Sequence, residues 1–375
     1  MTVTEITAKS LLRRYKRIDS WFISSMGMNL YRGCSHGCAY CDGRAEQYRL
    51  QGMFGRDIEV KINAAALLKK ELSPSRRPKP LPNGFVIIGG GVTDAWQNID
   101  RKYTLTSQVL DILLEARLPV HALTKSARIV DSIDRLTAIH AARRALVSFS
   151  FSSVNEAICT WVEPGLPGPK HRLDAMSKAK TAGLGVGMFL MPVIPGLTDT
   201  EQEMTRSLKA AKEAGADFVV FGGMTLKPGR QYDHFIALIR DRHPDLLPGY
   251  EKIYPGNRWG SALPAYYQKI GRRLAPIARD LRLPLRIPDT FWGDLVTETE
   301  KVALILEHLD YLTRLESSRS FFGVAARSIL DTKKGIRDLD TVLPTLRGIG
   351  PFTIDIIEEI LKSGTSSHYR GLLGA

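Results

Sequence analysis

From about residue 84 to residue 290, short apolar runs alternate with amphipathic stretches, the pattern of repeated strand–helix units. The runs at Phe85–Ile88, Val120–Leu123, Leu146–Phe151, Gly187–Met191, Phe218–Phe221 and Leu285–Ile287 read as strands. Between them, helical periodicity covers Leu105–Ala116, Ile129–Ala142, Lys170–Ala182, Thr200–Ala214 and Tyr266–Leu281. Such alternation implies an α/β fold with a parallel sheet and helices outside, either an open doubly wound sheet or a complete or partial β/α barrel.

In both architectures, functional residues gather at the carboxyl ends of the strands. Gly89-Gly90-Gly91 follows the first run, Thr124-Lys125-Ser126 the second, Ser150 and Ser152 close the third, and Pro192 to Thr198 follow the fourth. Each alone could be turn chemistry. Four in succession on one rim point to a ligand.

Upstream of the alternating region, Asn29-Leu30-Tyr31-Arg32-Gly33-Cys34-Ser35-His36-Gly37-Cys38-Ala39-Tyr40-Cys41 packs three thiols into one loop with spacing C-x3-C-x2-C. Thiolates so close suit zinc or an iron–sulfur cluster. A closed zinc site wants a fourth ligand, and His36 lies inside the loop rather than on a second knuckle. A cubane held by three cysteines leaves one iron open. Cys159 stands apart from this group.

This loop resembles the signature of the radical S-adenosylmethionine (SAM) superfamily, with Tyr40 as the aromatic before the last cysteine. The resemblance implies a partial (β/α)6 barrel, a [4Fe-4S] cluster on Cys34, Cys38 and Cys41, and S-adenosyl-L-methionine chelated to the open iron. It also implies a 5′-deoxyadenosyl radical that abstracts hydrogen from substrate, and an electron donor such as flavodoxin or ferredoxin. Residues 24 to about 290 are similar to the spore photoproduct lyase branch: the cysteine lead-in, a strand ending in Thr93-Asp94, then Thr124-Lys125, a Phe-Ser strand, Glu163-Pro164-Gly165 and a Pro-x-Ile-Pro-Gly turn. By position, Gly89, Gly90 and Gly91 would approach the methionine amino group and Lys125 its carboxylate. Ser150 or Ser152 would meet the ribose or carboxylate, and the turn Val193, Ile194, Pro195 and Gly196 the adenine. Tyr40 is assigned to the cofactor as well. Lyases of this branch carry a hydrogen-donating cysteine where this chain has Val92. Cys159 is a candidate substitute donor, with Tyr232, Tyr266 and Tyr267 as further candidates.

After Pro288 the pattern changes: Thr297–Leu315 reads as one long helix, followed by short helical segments. Leu343 to Ile357 reads as a short helix, a Gly348-Ile349-Gly350 hairpin and a second helix. It resembles the helix-hairpin-helix motif and, with the segments around it, the small helical domain of family X DNA polymerases. Backbone N–H groups at such a turn and helix N-terminus can bind phosphate without reading sequence. Gly348, Ile349, Gly350 and Thr353 are the candidate nucleic-acid contacts. Ile356 stands where polymerases with lyase activity carry a Schiff-base lysine, which implies binding without that chemistry.

The expected organisation is a basic arm at 1–20, the barrel at 21–290, a linker helix at 291–315 and the hairpin domain at 316–375. Lys plus Arg number 52 against 39 Asp plus Glu, a formal net charge of +13 that makes a polyanionic partner plausible. The excess clusters at Arg13, Arg14, Lys16 and Arg17, at Lys69, Lys70, Arg76, Arg77 and Lys79, and at Lys269, Arg272, Arg273, Arg279, Arg282 and Arg286. No stretch reads as a secretory signal or a membrane span, so the chain is read as cytoplasmic. It is expected to be a monomeric enzyme acting on nucleic acid, as a carbon–carbon lyase that repairs a DNA photoproduct. Two alternatives are a radical enzyme modifying RNA or maturing a protein, and a non-catalytic DNA-binding protein with a structural cluster.

Overall fold

The computed structural model describes residues 2–48, 50, 52–73, 81–317, 319–339 and 341–374; Arg76, Arg77 and Lys79 of the second basic cluster lie outside them. The described residues form ten strands: β1 (Thr2–Ile6), β2 (Arg13–Asp19), β3 (Ser24–Met28), β4 (Tyr31–Arg32), β5 (Asp57–Lys61), β6 (Phe85–Ile88), β7 (Val120–Thr124), β8 (Ala145–Phe151), β9 (Gly185–Val193) and β10 (Phe218–Gly223). Seven of them make one sheet in the order β10-β9-β8-β7-β6-β3-β2. Every neighbouring pair in it is parallel except β2 on β3. The six parallel strands are therefore β3 and β6 to β10, a partial (β/α)6 barrel. Strands β6 and β7 are buried at every residue, as a sheet covered on both faces requires.

Helices fill the connections: α1 (Ala64–Leu72), α2 (Asp100–Tyr103), α3 (Leu105–Glu115), α4 (Ile133–Ala142), α5 (Glu156–Val162), α6 (Pro169–Thr181), α7 (Glu201–Glu213), α8 (Arg230–Arg242), α9 (Leu247–Ile253) and α10 (Pro264–Asp280). Two of them start on a side-chain cap: Asn155 accepts from the Ala157 N–H at α5, and the Thr200 hydroxyl accepts from the Glu203 N–H at α7. Residues 129–132, which periodicity assigns to the helix at Ile129–Ala142, belong instead to a 3-10 segment at Ala127–Ser132, because the Ser126 side chain caps Arg128 N–H and starts a tighter turn.

Leu285–Ile287 is not a strand. Pro284 and Pro288 flank it and cannot donate to a ladder, and the segment meets β10 through a bond from Val219 N–H to the Pro284 carbonyl. The sixth parallel strand is β3, whose sequence Ser-Ser-Met-Gly-Met carries no strand signal yet is buried throughout. It runs into the cysteine loop. The first twenty residues contribute β1 and β2 to the two sheets, β1 joining β5 and β4 in a three-stranded one.

Downstream come α11 (Glu298–Glu316), α12 (Phe322–Asp331), α13 (Pro351–Ser363) and α14 (Ser367–Leu373). A capping box of Thr297 and Glu300 starts α11. The element before the Gly348-Ile349-Gly350 turn is a 3-10 turn at Leu343–Thr345 rather than an α-helix, since Pro344 and the short spacing leave no room for a longer one. Helix α11 packs on the barrel: Tyr311 lies against Phe221 of β10, and His308 Nε2 reaches the Ser20 carbonyl at 2.9 Å. Arg286 is 2% exposed, its guanidinium 4.3 Å from the Trp21 ring centre and 3.2 Å from that of Tyr311. That residue belongs to the interior and not to a basic surface cluster. Buried apolar side chains form one continuous network from Leu11 to Leu373.

Candidate functional site

At the carboxyl end of the parallel sheet lies a cavity of about 410 Å³. Cys34, Cys38 and Cys41 line it, together with Tyr40, Gly89, Gly90, Gly91, Val92, Asp94, Lys125 and Ser150. The cysteines follow β3 and the two-residue strand β4, and their loop leaves into a 3-10 turn at Asp42–Arg44. Gly33, at φ 80°, lets the chain turn there, because a Cβ would lie 2.5 Å from the Asp57 carbonyl oxygen.

The thiols are free and held in apolar surroundings. Burial pushes Cys38 up to about 12 and Cys41 up to about 11, and raises Cys34 well above the ordinary thiol value. Alone, such thiols stay protonated; a metal-bound positive charge is what would make them thiolates. Among the described residues no group of three or more His, Cys, Asp or Glu side chains closes on a single metal ion. Three soft donors spread around one cavity suit a multi-iron cluster better than zinc. His36 Nδ1 lies 3.7 Å from Asp94 Oδ2, and burial lowers its pKa, so the ring is neutral.

Behind the cysteines, Glu163 is 1% exposed and gathers four donors. Arg172 Nη2 bonds Oε2 at 2.5 Å, while Oε1 accepts from the Tyr40 hydroxyl, from the Ser152 hydroxyl at 2.9 Å and from Lys125 Nζ at 3.3 Å. Burial alone would raise the Glu163 pKa, but Arg172 and Lys125 outweigh it and hold the carboxyl well below the usual range. Two cations thus share one carboxylate. Lys125 Nζ also donates to Ser150 Oγ at 2.8 Å and, at a long 3.5 Å, to the Met191 carbonyl; it faces the cavity, where turning that weakest donor would let the ammonium take a further anion such as an amino-acid carboxylate. The Lys125 backbone is fixed by Asp94, whose Oδ2 accepts its N–H at 2.8 Å and the Thr124 hydroxyl at 2.8 Å.

Gly89 has φ 86°, and a Cβ there would lie 2.1 Å from the Leu123 carbonyl oxygen, so backbone necessarily forms that part of the wall. Gly90 and Gly91 continue it.

Not every candidate reaches the cavity. Ser152 is fully buried on Glu163 and acts behind the wall. Val193, Ile194 and Pro195 are not among the lining residues; Met191 and Pro192, just before them, are. The turn is folded inward instead, Ile194 N–H bonding Thr198 Oγ1 at 2.7 Å and the Pro195 carbonyl accepting from Tyr250 at 2.8 Å. Cys159 on α5 is 4% exposed, its Sγ donating to the Ser153 carbonyl at 3.3 Å, away from the lining. As a hydrogen donor it has no access. Tyr266 is buried on Asp199, and neither Tyr232 nor Tyr267 lines the cavity.

Several site residues escaped the sequence reading. Asp42 lines the cavity, with Lys227 Nζ 2.5 Å from Oδ2 and the Thr225 hydroxyl 2.5 Å from Oδ1. Gln231 Nε2 bonds the Tyr40 carbonyl at 2.8 Å and Asp42 Oδ1 at 3.1 Å, tying the end of the cysteine loop to the β10–α8 connection. Their signal was slight: Asp42 merely follows the last cysteine, Thr225 and Lys227 follow β10, and Gln231 is one polar residue of a helix. Arg172 gave none, since a helix arginine is ordinarily exposed.

The hairpin residues Gly348, Ile349, Gly350 and Thr353 line a different cavity of about 690 Å³ with Phe321, Phe322, Phe352 and His368. Phe321 and Phe352 are exposed. Gly348 has φ 85°, and nothing lies within 4 Å of a Cβ built on Gly350.

Among known families, the Radical SAM superfamily profile matches residues 28–208. An uncharacterized protein of Mycobacterium tuberculosis is 31% identical over 263 residues, 68% of this chain and 74% of its own length. An uncharacterized protein of Methanocaldococcus jannaschii is 24% identical over 210 residues, 56% of this chain and 74% of its own. Spore photoproduct lyase complexed with dinucleoside spore photoproduct superposes at TM-score 0.54 and 16% identity, over 75% of this chain and 79% of that one. A variant of that lyase with bound AdoMet and the dinucleoside gives 0.55 at 17% identity, with the same coverage. At such identity the likeness is one of fold.

Proposed function

This chain belongs to the radical SAM superfamily, with a [4Fe-4S] cluster and S-adenosylmethionine as its cofactors, and from that membership we propose an enzyme acting on nucleic acid, a DNA photoproduct lyase in character. The observation that carries the reading is one cavity in which the cysteine loop, the glycine wall and the Lys125 ammonium meet, on a fold like that of a photoproduct lyase. The net charge of +13 agrees with a polyanionic substrate. When bound, the two cofactors supply one-electron chemistry that ends in abstraction of a hydrogen atom.

The chain's own residues bind and orient. Cys34, Cys38 and Cys41 hold the iron. Lys125, braced by Ser150 and Glu163, takes the cofactor's carboxylate, and Gly89 to Gly91 offer backbone to its methionine end. Phe22, Leu123 and Phe189 close the apolar side of the cavity and keep water out. In this reading the barrel at 21–290 does the chemistry and the segment at 316–375, with Gly348, Ile349, Gly350 and Thr353, holds the nucleic acid. A flavodoxin or ferredoxin supplies the electron.

Val92 in the cavity wall favours a second reading, because no thiol stands there to return hydrogen to a lyase product. A radical enzyme that modifies RNA needs no such donor. Anaerobic incubation with ultraviolet-irradiated thymine dinucleotide tests the first reading: reversion is expected. Intact cluster and cofactor cleavage without any reversion would transfer the assignment to the second, for which RNA should bind more tightly than DNA at equal salt.

A further inference from the structure

A second cavity, of about 810 Å³, lies on the other side of the cysteine loop. Gly37 lines both cavities, and Ala39 lines this one. The partition is thin there. Gly37 and Gly55 both have positive φ, and a Cβ on Gly55 would come within 3.0 Å of the Gly37 Cα, so the two loops meet as bare backbone.

The charge of this cavity is one-sided. Arg44, Arg56, Arg242 and His234 line it, with no Asp or Glu among the lining residues. Glu46, in the same 3-10 region, is already committed to Arg230, whose N–H bonds its Oε1 at 2.9 Å. Burial and the charge of Arg44 lower the pKa of His234, so the positive field is set by the arginines. Apolar ground completes the surface: Met53 is 57% exposed, and the Arg242 guanidinium lies 5.6 Å from the Trp161 ring centre.

Arg44 joins this surface to the iron ligands. Its Nε donates to the Cys38 carbonyl at 3.0 Å and its Nη2 to the Gly37 carbonyl at 2.7 Å, while the guanidinium stacks 4.9 Å from the Phe54 ring centre. A molecule seated on the arginines is one side chain from the backbone of a cluster ligand.

We propose that this basic, aromatic-edged cavity is the docking surface for an acidic one-electron carrier protein that reduces the cluster; the inference rests on the radical SAM reading and deepens it. One electron leaves the carrier, which is oxidised by one, and the cluster is reduced by one; no atom changes hands. A nucleic acid bound here would satisfy the same charges but would lie outside the wall from the cofactor, where no chemistry could reach it. An electron needs only proximity, and tunnelling through a single loop supplies that. Opposed net charges would steer the encounter and make its rate depend on salt.

The test uses Arg56→Glu/Arg242→Glu and the neutral Arg56→Gln/Arg242→Gln, both at exposed positions. Affinity for an oxidised flavodoxin is measured by titration, and cluster bleaching by reduced flavodoxin and by dithionite is followed by anaerobic stopped flow. Flavodoxin affinity and reduction rate should fall about tenfold or more, the Glu pair more than the Gln pair, with dithionite reduction unchanged. Wild-type reduction by flavodoxin should slow steeply with salt. Unchanged flavodoxin affinity and rate overturn the proposal, as does a loss confined to binding of single-stranded DNA. Wild-type protein that holds no iron would strike the family-based reading instead, and the flavodoxin affinities would still decide this one.

Discussion

Lys125 Nζ and Glu163 Oε1 meet 3.3 Å apart behind the cysteine cavity, and the same carboxylate holds Arg172 through its other oxygen. The lysine that lines the cavity is therefore aimed by a residue that does not line it.

Glu163→Gln removes the charge while keeping the shape. Lys125 loses its brace, and affinity for S-adenosylmethionine should fall about tenfold or more, since a charged hydrogen bond contributes about 1.5–3 kcal/mol. Arg172 is left buried without its anion, at a cost of about 3–5 kcal/mol in stability. Anaerobic titration calorimetry and urea unfolding measure the two. Unaltered cofactor affinity would remove Glu163 from any positioning role.

Acid should unfold the protein early. Burial lowers His121 to about 4, and burial with the charge of Arg286 lowers His308 to about 3. An unfolded histidine titrates near 6.5. Below that pH the unfolded chain takes protons that the native state refuses, so stability falls by up to about 1.4 kcal/mol per pH unit for each histidine. Glu163 adds to the loss as pH drops below about 4.3, the unfolded value, toward its lowered native one. Urea midpoints that stay level from pH 7 to pH 5 would contradict this.

Cys38→Ala and Cys159→Ala should part company. The first loses bound iron and sulfide while its far-ultraviolet dichroism stays native, because barrel packing does not depend on that thiol. The second keeps its iron and its cofactor cleavage and loses at most about 1 kcal/mol, as expected of a small buried side chain. Loss of cofactor cleavage in Cys159→Ala with iron intact would return that thiol to the chemistry.

Arg286 has no carboxylate within ion-pair distance among the described residues and is held instead between two aromatic rings. Arg286→Ala should cost about 2–4 kcal/mol through lost packing and cation–π contact. Lysine restores the charge without the flat stacking surface, so Arg286→Lys should recover less than half of that loss. Full recovery of the urea midpoint would show that charge alone suffices.

Five of the six apolar runs read as strands are strands, because covered parallel strands are continuous apolar segments that the sequence displays openly. β3 was not legible, since its serines and glycine give no such signal and its burial comes from neighbours distant in the chain. Leu285–Ile287 misled for the opposite reason: its apolar residues alternate as in a strand while prolines on both sides prevent pairing. The same division runs through the site. The cysteine spacing and Lys125 stood out, and Glu163 showed only as part of a Glu-Pro-Gly motif without a role, while Arg172 looks like a surface charge until the fold buries it against Glu163.

The stack of Trp21, Arg286 and Tyr311 also orders events during synthesis. A chain made from its N-terminus exposes Trp21, the Ser20 carbonyl and then Arg286 before Tyr311, His308 and Tyr369 leave the ribosome. Through that interval the cysteine loop and all six parallel strands already exist, while a bare guanidinium still marks the unsealed seam of the barrel. Iron loading can thus begin on a nascent chain before the helix that seals the barrel has been made.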